Sequence, residues 1–261
     1  MTDSTWVTPA IKRIHFRSDD LSAFHGSEQT DRYVKIVFPK PGVTYPEPLD
    51  LRALRGTIPP EDMPDLRTYT ALFPDAAAGT LAIDFVIHGD EGIAGPWAAR
   101  AVPGDVIVVN GPGGGYRPDP SADWHLLVGD ESALPAITAA LLDLEPTAVA
   151  RVIVLIDAPG DEPELSLPED ATVTFVYRNH ESADSGSLVE AITALEWPQG
   201  RVHAFVHGEA QEVMHGIRPL LLKDRGLERS QVSISGYWRR GRTEESFRVW
   251  KSELAEAERG A

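Results

Sequence analysis

The sequence contains no cysteine among its 261 residues. That absence excludes disulfides, thiol redox chemistry, cysteine-ligated zinc and iron–sulfur clusters. Any redox activity must therefore come from a bound cofactor. Positive charge is scarce as well. Against 40 Asp and Glu stand 24 Lys and Arg, for a formal charge of −16. Such a balance argues against nucleic-acid binding, which needs a basic face to displace counterions. No stretch reaches the roughly 18 apolar residues of a membrane span. The opening "MTDSTWVTPAIKRIHF" has no apolar signal core, so the expectation is a soluble, cytoplasmic protein with no membrane partner.

What is present suits a folded protein. Hydrophobic residues make up 42% and charged residues 25%, enough for one large domain or two ordinary ones. Residues 1–120 read as β. "YVKIVF" (33–38) is β-branched and aromatic and stops at Pro39, and the proline-rich stretch 39–64 predicts a long surface loop. "LRTYTALF", "TLAIDFVIH" and "VIVVNGPGGGY" follow, separated by turns such as "VPGD". Short strands with Gly/Pro turns predict an antiparallel β-barrel. Residues 121–261 alternate strand and helix, which predicts a doubly wound parallel sheet with a C-terminal helix. "WHLLVGD" reads as its first strand and 132–144 as a helix with Ser132 near its cap. "RPDPSAD" (117–123) reads as the linker. In the closing "TEESFRVWKSELAEAERGA", Thr243 can cap a helix whose Phe247, Trp250 and Leu254 share one face.

Three stretches carry candidate chemistry. In "RTYT" (67–70) alternation puts Arg67 and Tyr69 on one side of a strand. Arginine clamps phosphate, tyrosine offers a flat face to a ring, and Thr70 offers a hydroxyl, a combination that describes a flavin nucleotide. In "HGDEGIAGPWAARAVPGD" (88–105) glycines precede a short Ala-rich helix, a turn that exposes N–H groups to an anion. "VGDESALPAI" (128–137) lies at the carboxyl end of the first α/β strand, where ligands bind in open sheets, but it is not a G-x-G-x-x-G fingerprint. "VHGEAQEV" (206–213) ends another strand at the same edge.

In this order the segments "DRYVKIVFP", "RTYT", "DFVIHGDEGIAGPWAARAVPGD", "GPGGGY", "GDESALPAI", "HGEA" and "GYWRRGRTEE" resemble the siderophore-interacting proteins. These are flavin-dependent ferric-siderophore reductases of the ferredoxin–NADP reductase-like superfamily. The resemblance covers nearly the whole chain. It implies a barrel that binds FAD and an α/β domain that admits NADH or NADPH, with a ferredoxin as an alternative donor. It implies that Arg67 meets the pyrophosphate, Tyr69 lies on the isoalloxazine, and Thr70 approaches its reactive edge. Tyr69 and Thr70 are thus the residues expected nearest the chemistry, tuning the flavin. Thr68, Asp84, His88, Ala94, Gly95 and Trp97 would complete the barrel side of the FAD site. Asp130, Glu131 and Ala133 would lie toward the adenine and Trp238 beside the redox centre. Two departures stand out. Gly95 replaces a Ser or Thr common in relatives, and Gly113 replaces an arginine.

A ferric siderophore resembling a tris-catecholate is bulky and anionic. A local positive patch can steer it even onto an acidic protein. Lys35, Arg239, Arg240 and Arg242 are the expected substrate contacts. Asp157, Gly208 and Glu209 are expected at the nicotinamide side; Asp157 leans toward NADH, whereas Arg178 leans the other way. His203 and His207 read as strand histidines and not as a metal pair, and no protein-bound metal is expected. The expected activity is reduction of siderophore-bound Fe(III) through FAD. The alternatives are a general flavin-dependent reductase and a siderophore-binding protein without turnover. Nothing in the sequence demands more than a monomer.

Overall fold

The computed structural model describes residues 1–90, 92–178, 187–242, 246–247 and 249–250. The chain divides into two compact units. One contains Met1–Trp6, Lys12–Ser27 and Arg32–Gly114; the other contains Val7–Ile11, Glu28–Asp31 and Gly115–Ala261.

The N-terminal strands are β1 (Asp3–Thr8), β2 (Ile11–Arg17), β3 (Tyr33–Phe38), β4 (Asp65–Thr70), β5 (Leu72–Asp75), β6 (Thr80–Val86) and β7 (Val108–Gly113). They form a four-stranded sheet, β1-β2-β6-β5, and a three-stranded sheet, β4-β3-β7. The pairs β3–β4, β3–β7 and β5–β6 are antiparallel. Side-chain alternation sends Val34 and Ile36 of β3 inward, where both are wholly buried. They join Ile14, Ile83 and Phe85 in one apolar core, with Tyr69 and Trp97 packed at its margin. The proline-rich connection after β3 is not wholly irregular: one helical turn, α1 (Leu51–Leu54), forms where the Asp50 carboxylate accepts from the Arg52 and Ala53 N–H groups at 2.8 and 3.4 Å.

Helix α2 (Ala94–Arg100) follows β6 as the Ala-rich run predicts. Its C-terminal carbonyls need donors, and the buried Lys12 Nζ supplies them at 2.9 Å to Ala98 and 3.3 Å to Ala99. That contact ties β2 to the helix.

The second unit carries β8 (Trp124–Asp130), β9 (Ala150–Ile156), β10 (Ala171–Tyr177), β11 (Val202–Glu209) and β12 (Val232–Trp238). They form one parallel sheet in the order β10-β9-β8-β11-β12. The order reverses between β8 and β11, the switch point at which open α/β sheets bind ligands. All seven residues of β8 are buried, as expected of a central parallel strand covered on both faces. Helix α3 (Leu134–Asp143) follows β8 and α4 (Ser187–Ala194) precedes β11. The segment after β11 contains π-helical turns, Glu212–Ile217 and Leu220–Asp224.

One local expectation changes. Helix α3 begins at Leu134, after Ala133, and no side chain caps it. Ser132 instead donates its N–H and hydroxyl to Asp130 Oδ1. The C-terminal helix expected from Thr243, Glu244, Glu245 and Leu254 lies outside the described residues. Phe247 and Trp250, which are described, stack with ring centroids 5.7 Å apart.

Candidate functional site

In the first unit the site candidates gather on β4 and around α2. Register pairs Tyr69 with Val34 and Arg67 with Ile36. Cross-strand partners share a face, so Arg67 and Tyr69 do lie on one side, the side of the core. The Tyr69 ring tilts against Phe85 at 4.6 Å, and Phe85 meets Trp97 at 5.6 Å. An aromatic wall therefore holds the tyrosine in place. The Arg67 guanidinium donates to the Leu66 carbonyl at 2.9 Å, which fixes its stem along the strand. Thr68 is exposed and Thr70 is buried, both on the opposite face.

Asp84 engages Arg13 through both carboxylate oxygens, at 2.7 and 2.8 Å. Its side chain thus braces β6 against β2. His88 is exposed in the turn after β6. At Gly95 a Cβ would make an ordinary contact, 3.4 Å from the Val86 carbonyl oxygen, so the packing of α2 on β6 does not itself require glycine there. The residues present fit FAD: a guanidinium, a phenol backed by a wall of rings, threonine hydroxyls, and a glycine-lined helix start that no side chain caps.

The face of the small sheet opposite Arg67 carries Lys35. Lys35 pairs with Thr68 on one side and Asn110 on the other, while Tyr33 pairs with Thr70 and Gly113. Lys35 has no carboxylate partner among the described residues. Gly113 cannot carry a side chain without displacing Tyr33. A Cβ there would lie 2.3 Å from Tyr33 Cζ and 2.5 Å from its hydroxyl oxygen. The departure noted at Gly113 is thus matched by an aromatic ring in the vacated space.

In the second unit Asp130, Glu131, Ala133, Asp157, Gly208, Glu209 and Trp238 do gather at the carboxyl edge of the sheet. Most of them are occupied with one another. Asp130, 1% exposed, is a hub. Its Oδ1 accepts from Ser132; its Oδ2 accepts from the Glu209 N–H at 2.9 Å and the Trp238 indole N–H at 2.7 Å. One carboxylate thereby joins the ends of β8, β11 and β12. Gly129, just before it, must be glycine: a Cβ would lie 2.4 Å from the Ala133 methyl and 2.7 Å from the His207 carbonyl oxygen. Ala133 itself is fully buried by this turn.

Arg178 directly follows β10 and pairs with Glu131, with Asp157 Oδ1 3.7 Å from its Nε. Burial pushes the Glu131 carboxyl up, against the pull of Arg178. Asp157 and Arg178, which favour opposite nucleotides when considered singly, stand side by side. Sequence reasoning did not find Glu212. It is 4% exposed and accepts from the Leu188 N–H at 2.8 Å, holding the start of α4. Burial, with Asp130 and Glu209 nearby, pushes its carboxyl up to about 7, although the Leu188 N–H opposes this. Its spacing from Glu209, three residues along a strand-to-helix junction, was the available signal.

The arginines after β12 differ. Arg239 lies over the Trp250 ring at 4.7 Å and donates to Gln211 at 2.9 Å. The Arg240 N–H donates to Glu209 at 3.1 Å, and the Arg240 and Arg242 side chains are exposed. His203 and His207 lie on β11, as read. His203 Nδ1 accepts from the Asp119 N–H at 3.0 Å, and His207 Nε2 meets Ser233 at 2.9 Å. Across from them on β8, burial and the neighbouring His203 push the His125 ring down to about 4.

An antiparallel barrel with an Arg-x-Tyr-Thr strip, followed by a five-stranded parallel sheet, defines a flavin-dependent reductase of the ferredoxin reductase-like class. Residues 1–116 match the model of the siderophore-interacting FAD-binding domain, and residues 122–241 that of the siderophore-interacting protein. The chain belongs to the siderophore-interacting protein family. It is 46% identical to the uncharacterized protein Rv2895c of Mycobacterium tuberculosis, over 97% of this chain and 94% of that one. It is 33% identical to the ferric vibriobactin reductase ViuB of Vibrio cholerae, over 93% of this chain and 89% of that one. The crystal structure of a siderophore utilization protein from T. fusca superposes with a TM-score of 0.77 at 34% identity, covering 93% of this chain and 92% of that chain.

Proposed function

We propose that this protein is a ferric-siderophore reductase that frees iron in the cytoplasm. The observation that carries the reading is the Arg67–Tyr69–Thr70 strip on β4, within the FAD-binding family domain and backed by Phe85 and Trp97. Arg67 and Tyr69 would hold an FAD that, once reduced by the electron donor, would relay single electrons to siderophore-held Fe(III) and leave Fe(II). The oxygen ligands of siderophores are hard and prefer Fe(III), so reduction loosens their hold.

The chain's own residues bind and position. Arg67 neutralises phosphate charge with paired donors, and Tyr69 offers a ring fixed at its rear by Phe85. Thr70, the last residue of β4 and buried on its other face, is the hydroxyl that the family resemblance assigns to the reactive edge of the cofactor. His88, Ala94 and Gly95 contribute at the phosphates. Lys35 in the first unit, and Arg240 and Arg242 in the second, are each a cation for the anionic chelate; the Arg239 guanidinium is held by Trp250 and Gln211. No nucleophile is required, since the cofactor does the chemistry while the protein orients and tunes it.

The electron donor is a nicotinamide nucleotide, NADH in preference to NADPH, and ferredoxin is the alternative. Asp157 beside Arg178 supports NADH: a carboxylate there suits ribose hydroxyls, and it and Glu131 offset the cation that would attract a 2′-phosphate.

The test is direct. The purified protein should be yellow with FAD and form an Fe(II)–chelator complex from a ferric siderophore when NADH, NADPH or reduced ferredoxin is supplied. A colourless protein that takes up no FAD would sink the reading. A yellow protein that reduces free flavin or a carrier protein but no ferric siderophore would identify a general reductase instead.

A further inference from the structure

Resting on that reading, we infer that Tyr33 is a specificity-determining residue that makes the substrate subsite an aryl-binding one, suited to ferric chelates built from catechol or phenol rings. Tyr33 is a large ring, 39% exposed, on an open sheet face. Exposed single aromatics are common. This one is set apart by its support and its neighbours.

Its support is Gly113. The ring of Tyr33 lies where a side chain at position 113 would begin. One part of the ring is thus braced by backbone, and the rest remains open. Among the described residues its hydroxyl has no hydrogen-bond partner. A ring so held loses little freedom when a second ring stacks on it, and low ordering cost favours binding.

Its neighbours supply charge and a link to β4. Lys35 lies two residues along β3, on the same face and without a carboxylate partner among the described residues. Thr70, next along β4 after Tyr69, pairs directly with Tyr33 across the strands. A cation beside a flat ring complements an anion that carries rings. A ferric tris-catecholate has both; ferric citrate has the charge alone; ferrioxamine B, a trihydroxamate, has neither. In a chain of net charge −16, discrimination by a ring also avoids reliance on the few cations available.

The experiment measures equilibrium binding of these three chelates to the FAD-loaded protein by fluorescence quenching, with turnover recorded separately. Tyr33→Ala should weaken the tris-catecholate by about 3- to 10-fold, the range expected for loss of an aromatic pair, and leave ferric citrate and ferrioxamine B unchanged. Tyr33→Phe should retain wild-type affinity. Gly113→Ala, which displaces the ring without removing it, should reproduce the Tyr33→Ala loss. Lys35→Gln should weaken both anionic chelates and spare ferrioxamine B. Flavin content and the melting curve should be unchanged in Tyr33→Ala. Equal affinity of wild type and Tyr33→Ala for the tris-catecholate overturns the inference, as does an equal loss for all three chelates. Selective binding without reduction of any chelate would instead sink the reductase reading and leave this one standing.

Discussion

The two units handle their polar groups in opposite ways. On the small sheet of the first, Lys35 and Tyr33 stand exposed or half-exposed with no polar partner among the described residues. At the carboxyl edge of the second, Asp130, Glu131, Glu209 and Glu212 are each under 10% exposed and bound to one another's backbones or to Arg178 and Trp238. The difference is instructive because both regions look alike in sequence, as polar residues beside strands and glycines. A group with spare hydrogen-bonding capacity can meet a ligand at little cost. A group already satisfied in a dry site holds the fold, and removing it strands its partners.

The comparison breaks most sharply at Asp130. Asp130→Ala removes the acceptor of Ser132, Glu209 and Trp238 at once, so the second unit should lose about 2–3 kcal/mol, the order expected when buried donors are left unpaired. Urea unfolding followed by tryptophan emission reads this. A loss below about 1 kcal/mol would show that the hub is ornamental.

Next comes pH. His125 falls from the usual 6.5 to about 4 on folding, because burial opposes its charge. The unfolded chain then binds more protons between those values, so this contribution is complete above 6.5 and is lost as pH falls toward 4. Glu212 runs the other way. Its carboxyl rises from 4.5 to about 7, so its contribution is complete below 4.5 and is lost as pH rises through 7. Each is worth up to about 3 kcal/mol by the 1.36 kcal/mol per unit relation. Urea midpoints of Glu212→Gln should rise with pH between 5 and 7 more steeply than those of wild type. His125→Phe should flatten the acid side. Parallel pH profiles in all three proteins would remove the assignment.

Smaller effects belong to the open region. Arg67→Ala should weaken FAD by about tenfold or more, as loss of a charge-assisted clamp predicts, and leave the melting curve of the apoprotein nearly unchanged. Unaltered flavin affinity would move Arg67 out of the site. Smallest is the arginine turn. Neutral substitutions at Arg240 and Arg242 should raise the apparent KM for a ferric siderophore a fewfold, with flavin content constant. Arg239→Gln should add little, since its guanidinium is held by Trp250 and Gln211.

The elements were largely legible because their signals are local. β-branched runs between Gly and Pro gave the strands, and alternation placed Arg67 and Tyr69 on one face. The partnerships were not legible, because they join residues far apart in the chain. Arg13 meets Asp84 across 71 positions and Asp130 meets Trp238 across 108. Nothing near either residue announces its partner. Ser132 illustrates the same limit at short range. It has the residue type of a cap, but the carboxylate two positions earlier claims it, and the helix starts later. Tyr33 was legible as a strand residue only. Its significance depends on the register of β7, which brings Gly113 beneath it.

The bond from Trp238 to Asp130 also bears on how the chain is made. The ribosome delivers β8 long before β12, so the Asp130 carboxylate must wait for an indole 108 residues downstream. A product that stops short of residue 238 retains every other strand of the sheet yet leaves Oδ2 one donor short in a dry site. Loss of that one donor lowers local stability at the edge of the sheet, the kind of change that raises the unfolded fraction open to proteases.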